Sequence, residues 1–169
     1  SIKEIIDGKG ILHEVALRSI TIPNDKGKPN LPSVNRFIAV PNNAKAKVVV
    51  NNYKKEILKN INIAPSRGIV SEYDTTNSDY IKDSDIYSKD ELFPANIVSI
   101  TEDINLRGVE AIGLNISPIQ YNPVKKELIV YTEIELSIEY EGGNSEFGDD
   151  RLRSMHWDPI LQHNILNYN

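Results

Sequence analysis

From Glu127 to Glu141 the chain reads ELIVYTEIELSIEYE, with Leu128, Val130, Thr132, Ile134, Leu136, Ile138 and Tyr140 at every second position. Side chains alternate across a strand, so this spacing gathers them on one face and describes a long, half-buried β-strand. Upstream, Val109 to Ile119 (VEAIGLNISPI) alternates in the same way, and Asn122-Pro123 in the intervening QYNPVKKE supplies turn chemistry. The two runs together are expected to form one antiparallel hairpin.

Comparable runs occur at Ile11 to Ile22, Arg36 to Pro41, Ala46 to Tyr53 and Leu58 to Pro65. Repeated short strands separated by turns predict an all-β fold, an antiparallel, jelly-roll-like β-sandwich. Near the end, Asp158-Pro159 is expected to cap and open a short C-terminal helix through Ile160, Leu161, Ile165 and Leu166. Ser71 to Leu92 and Gly142 to Arg153 are polar and aperiodic, and are expected as surface loops. The first exceeds the roughly 12–15 residues beyond which loops in compact domains tend to be functional or disordered. If the protein acts through a loop, this is the one. Residues 1–142 are thus expected to form the sandwich, and 143–169 a polar linker with a short helix.

At 169 residues the chain is long enough for one domain with a substantial core. Its 40% apolar and 25% charged residues are ordinary for a globular protein. A formal charge of -5 offers no net positive field for a phosphate backbone, so no nucleic-acid partner is expected. No apolar run is long enough for a membrane span, and the opening SIKEIIDGKG lacks the apolar core of a signal peptide. If the protein is exported, its signal lies outside this sequence. With no cysteine, disulfides, thiolate metal sites and thiol nucleophiles are all excluded.

Signs of catalysis are equally sparse. His13, His156 and His163 have neither an HExxH pattern nor a zinc spacing, and are read as exposed or packing residues. No GxSxG, P-loop or GxGxxG motif is present, so no catalytic residue and no cofactor is expected. Asp79, Asp83, Asp85, Asp90 and Glu91 lack the glycine and glutamate register of a calcium loop, and are read as a solvated acidic stretch with no metal. Gly108, after Arg107, is placed to allow a positive φ or a bulge before a strand. Arg151 and Arg153 sit in a polar stretch where a basic-specific protease would find accessible chain, making them possible processing points.

Five ordered strings, GKPNLPSVNRFIAVP (27–41), INIAPSRGIVS (61–71), DELFP (90–94), LRGV (106–109) and PIQYNPVKKELIVYTEIEL (118–136), carry a family resemblance. In this order and spacing the chain resembles the amino-terminal prodomains of gingipain-like cysteine peptidases from bacteria that use the type IX secretion pathway. The resemblance implies an antiparallel β-sandwich that assists folding of its peptidase, inhibits it, and is removed by proteolysis during or after export. The implied partner is the cognate catalytic domain, whose Cys and His would lie beyond Asn169. The implied location is secreted, from periplasm to cell surface or extracellular space.

In that family the stretch after the GIVS-like string is the inhibitory loop, corresponding here to Ser71, Glu72, Tyr73 and Asp74. Enzymes that cut after Arg or Lys receive a basic residue from this loop, yet the matching position here looks like Glu72. A carboxylate does not suit a pocket built around an acidic group, because like charges would meet in a desolvated site. The alternatives are a peptidase without basic preference, use of a neighbour such as Arg67, or inhibition that covers the cleft without filling the pocket. A rival from another class is a stand-alone secreted sandwich, an adhesin or carbohydrate-binding module, with Tyr73, Tyr80 and Tyr87 as stacking rings.

Overall fold

The computed structural model describes residues 1–8, 10–18, 20, 22–68 and 80–168, excluding the side chain of Glu102. In chain order the strands are β1 (Ile2–Asp7), β2 (Gly10–Val15), β3 (Val34–Ala39), β4 (Ala44–Leu58), β5 (Val98–Leu106), β6 (Val109–Ile116), β7 (Ile119–Asn122) and β8 (Glu127–Gly142). Two short helices, α1 (Ser84–Tyr87) and α2 (Asp158–Asn164), complete the order with a 3-10 turn at Asp150–Leu152. The antiparallel, mainly β fold and the short C-terminal helix expected from the sequence are present.

The structure resolves into two compact units. One comprises Ser1–Ser33, Lys54–Ile97 and Ser117–Glu133, and the other Val34–Tyr53, Val98–Ile116 and Ile134–Asn169. The long strands β4 and β8 contribute residues to both.

In the second unit, Arg107 and Gly108, both at positive φ (51° and 83°), form the two-residue connection between β5 and β6. Paired central φ values of this sign suit the right-handed twist of a hairpin. Gly108 has the conformation expected of it, and a Cβ there would also meet Leu152 Cδ1 at 2.7 Å. Strand β6 is central, with β3 and β5 antiparallel on either side. Being central, it can be covered on both faces, and its side chains divide by parity. Ile112 and Leu114 join Ile38 and Val40 against Ala46, Val48, Leu136 and Ile138, so two sheets face each other. Val109 and Ala39 point the other way, onto Leu161 and Ile165.

The first unit has a separate core of Val15, Leu31, Ile63, Ile119, Tyr121 and Leu128. Strands β1 and β2 form a hairpin in register Ile2↔Val15 to Asp7↔Gly10. Strand β7 pairs with the start of β8, Ile119↔Val130 to Asn122↔Glu127.

Several local expectations change. The hairpin across Asn122-Pro123 is built by β7 and β8 alone, because β6 ends at Ile116 and belongs to a different sheet. Strand β8 is not half-buried throughout: Leu128 lies in the core while Ile129 and Tyr131, on its other face, are buried too. The expected strand from Ile11 stops at Val15, and that from Leu58 becomes the end of β4 followed by single bridges at Ile63 and Pro65. Helix α2 includes Asp158 in its first turn; its N-cap is Trp157, without a side-chain cap bond. Leu161 and Ile165 are buried as its packing pattern requires, whereas Ile160 and Leu166 face solvent.

Candidate functional site

The site of most interest is the pair of chain segments flanking residues 69–79. Ser71, Glu72, Tyr73, Asp74 and Asp79 fall outside the described residues. Their flanks belong to the first unit and are described on both sides.

The leading flank is Ile63–Ser66, buried throughout and paired along two edges. On one edge His13 N donates to Asn62 O (2.7 Å) and Ala64 N to His13 O (2.9 Å). On the other, Asn30 N donates to Ala64 O (3.1 Å), Ser66 N to Lys28 O (2.8 Å) and Gly27 N to Ser66 O (2.8 Å). Buried backbone groups need such partners, and a run tied on both edges has little freedom. The trailing flank reaches the same anchor, since Asp83 N donates to Gly27 O (2.9 Å). Gly27, at φ 86°, therefore holds one flank through its N–H and the other through its carbonyl.

Side chains close the gap further out. The Arg67 guanidinium lies 5.2 Å from the centre of the Tyr80 ring, within cation–π range. The Tyr80 hydroxyl donates to Glu14 Oε1 of β2 (3.3 Å). Burial first, and then the Glu14 carboxylate, push the Tyr80 phenol above its ordinary value, so it remains a neutral donor. Lys82 Nζ donates to Asn62 Oδ1 (2.9 Å) and sits 4.9 Å from the centre of the Tyr87 ring. Burial, then Lys126, pull its ammonium below the ordinary lysine value. Asp83 caps α1 by accepting from Asp85 N (2.9 Å), which aims Tyr87 into the core. There its hydroxyl donates to Ile63 O (3.0 Å), and burial raises its phenol far above the usual range.

These contacts bear on the other candidates. Tyr80 and Tyr87, read as possible sugar platforms, have their rings occupied by Arg67, Lys82 and Tyr121, and Tyr73 lies outside the described residues. A cleft of about 340 Å³ between the hairpin and the trailing flank is lined by Asp7, Leu12, Asn62, Tyr80, Ile81 and Lys82, without the serine, threonine or histidine of a nucleophile–base pair. His13 Nδ1 accepts from Asn62 N (3.0 Å). Of the acidic run, Asp83 caps a helix and Asp90 bonds Asn122 and Lys125. Among the described residues no group of three or more His, Cys, Asp or Glu is placed to hold a metal ion.

Arg151 and Arg153 lie in the second unit. Arg151 is in the 3-10 turn and forks onto Asp149, with Nε at 3.0 Å from Oδ1 and a terminal nitrogen at 2.7 Å from Oδ2. This pairing holds the Asp149 carboxyl below its ordinary value. Arg153 faces Asp158 (3.5 Å) and the Tyr168 ring (5.6 Å). The sequence suggested neither arrangement, and it also missed Glu14, whose partner Tyr80 is far away along the chain.

Gingipain R1 of Porphyromonas gingivalis is 37% identical to this chain over 116 residues, which is 68% of this chain and 12% of that protein. Gingipain R2 of the same organism is 35% identical over 115 residues, again 68% of this chain and 16% of the relative. The chain thus spans less than a fifth of these relatives. A solved complex of the Porphyromonas gingivalis RgpB pro- and mature domains contains a chain that matches with a TM-score of 0.84 at 28% identity, over 100% of this chain and 87% of that one. Residues 3–169 match the Propeptide_C25 family, so the ordered strings carried a true kinship: this chain belongs to the Propeptide_C25 family, a prodomain rather than a peptidase catalytic domain.

Proposed function

We propose that this domain keeps a gingipain-type cysteine peptidase latent and assists its folding until proteolysis removes it. The observation that carries the reading is the full-length likeness to a chain solved in a complex of pro- and mature domains. The partner is the cognate catalytic domain, and the setting is export, from periplasm to cell surface or extracellular space.

In this reading residues 1–142 are the inhibitory sandwich, and 143–169 lead toward the peptidase domain. Ser71, Glu72, Tyr73 and Asp74 form the inhibitory loop, with Arg67 as the alternate contact. The two flanks tied to Gly27 support such a loop, because holding its ends reduces the entropy lost when it docks. With Glu72 leading, the recognised pocket is neutral or basic, since a carboxylate entering an acidic pocket would leave like charges desolvated. Arg151 and Arg153 are the proposed processing points. The 3-10 turn around Arg151 must open before a peptidase can take that segment in extended form.

The test is titration of the mature peptidase encoded with this domain by the wild-type chain, Glu72→Ala and Arg67→Ala. Saturable inhibition by the wild type, weakened chiefly by Glu72→Ala, is expected. No inhibition and no complex at high concentration would overturn the proposal.

A further inference from the structure

We propose that Arg67, Tyr80 and Glu14 form a clasp that sets the separation of the two ends of residues 69–79, with Arg67 acting as a positioning residue instead of filling the partner's pocket. The proposal rests on the inhibitory reading above and identifies which side chains make the loop competent.

Placement is the first argument. Arg67 and Tyr80 flank the segment, and their 5.2 Å contact joins its two ends directly. Neither belongs to the core cluster of the unit: Arg67 is exposed and Tyr80 half-buried. Folding of the unit already has its own determinants in the buried Ile63–Ser66 run and the Tyr87 anchor. A contact peripheral to that core, yet joining Arg67 to Tyr80, does little for the fold and ties the two flanks to each other.

Geometry is the second. Tyr80 would be a poor ring for Arg67 if it could swing. Its hydroxyl bond to Glu14 tethers the ring to β2, whose Leu12 and Val15 are buried on either side of that carboxylate in sequence. The carboxylate thus orients the ring, and the ring receives the guanidinium. Arg67 cannot stack on Tyr80 and extend into a partner's pocket at the same time. With this contact made, the Arg67 guanidinium is engaged by Tyr80 and is not free to act as the partner's pocket residue.

The experiment combines a double-mutant cycle with a readout that needs no peptidase. Arg67→Ala, Tyr80→Leu and the double variant are compared with Tyr80→Phe, which keeps the ring and loses the bond to Glu14. In the free domain, nicking within residues 69–79 by an added broad-specificity protease is expected to accelerate about tenfold in either single variant and no further in the double. The urea midpoint should stay in place, and Tyr80→Phe should fall between wild type and Tyr80→Leu. Against the mature peptidase, inhibition should weaken roughly five- to tenfold in each single variant, again without addition in the double. Additive losses, with Arg67→Ala alone costing about a hundredfold or more as a pocket anchor would, overturn the clasp. Nicking unchanged in all variants overturns it as well. A wild-type domain that fails to inhibit removes the inhibitory reading, while the nicking series still decides whether the clasp exists.

Discussion

Replacing Ile165 by Ala tests whether the last residues of the chain are part of the folded second unit. Ile165 is 1% exposed and packs with Leu161, Ala39 and Val109, and Leu166 N beside it donates to Phe37 O (3.0 Å). The substitution removes three carbons at about 0.8 kcal/mol each, or roughly 2.4 kcal/mol, and the cavity left among these neighbours brings the expected loss to about 3 kcal/mol. With a urea m-value of about 2 kcal/mol/M, the midpoint should fall by about 1.5 M. Trp157 is the sole tryptophan, and it lies in the second unit against the Arg107 guanidinium at 4.8 Å, so its fluorescence reports this unit. Leu166→Ala is the control: at 64% exposure it should change stability by no more than about 0.5 kcal/mol. If Ile165→Ala also costs less than about 1 kcal/mol, the tail is only loosely attached and the packing argument fails.

The remaining predictions address a close approach, two buried hydroxyls and one carboxylate. A Cβ at Gly113 of β6 would overlap Thr101 Oγ1, which sits at the bulge between Ile100 and Asp103, so Gly113→Ala should cost about 1–3 kcal/mol by overpacking; Thr101→Ala should recover part of the loss in the same denaturation assay. Tyr131 donates to Gln120 Oε1 (2.6 Å), whereas the buried Tyr121 hydroxyl makes no hydrogen bond among the described residues, so Tyr131→Phe should lose about 1–3 kcal/mol while Tyr121→Phe should cost less. Hydrogen bonds from Asn122 and then Lys125 hold the Asp90 carboxyl below its ordinary value. A depressed folded value contributes stability above the unfolded carboxylate pKa of about 3.9, lost as pH falls through the lower folded value. Carbon-detected NMR titration should place the Asp90 midpoint below that of Asn122→Ala, and identical midpoints would sink this assignment.

How far the sequence could be read depended on whether a pattern names a face or a partner. The alternation in β8 established a strand, but periodicity cannot say which strand lies alongside. Alternation over Val109–Ile119 therefore does not reveal that the chain leaves β6 at Ile116, crosses Ser117-Pro118 and begins β7 in another sheet, so the expected hairpin with β8 is built by β7 alone. Strand β1 carries no strand signal because IKEIID does not alternate, and it stands in a two-stranded ribbon with Ile6 88% exposed. In β5 the bulge interrupts the register between Ile100 and Asp103. The family strings place the expected loop at Ser71–Asp74, which lies outside the described residues, with Arg67 as its described neighbour. The Glu14–Tyr80 bond was not legible, because only the folded chain brings those residues together.

A protease that cuts after arginine would have to reach the proposed processing points in the folded domain, and the magnitudes indicate what shields Arg151. Its fork onto Asp149 has good geometry, but Arg151 is 88% exposed, and exposed pairs contribute only about 0–1 kcal/mol. That is too little to keep the guanidinium from the acidic pocket of a separate, basic-specific protease. The backbone is held more firmly. Asn42 Nδ2 donates to Gly148 O (2.8 Å), Gly148 N donates to Asn42 Oδ1 (3.1 Å), and Asn42 N donates to Glu146 O (2.8 Å). Asp149 then caps the turn by accepting from Arg151 N (3.0 Å). A peptidase requires extended chain, so these bonds must break together before Arg151 can be cut. Arg153, the C-cap residue, already has extended backbone at φ -64° and ψ 145°. Of the two proposed processing points, Arg153 therefore needs less rearrangement, and the ordering follows from backbone geometry even though both side chains carry an ion pair.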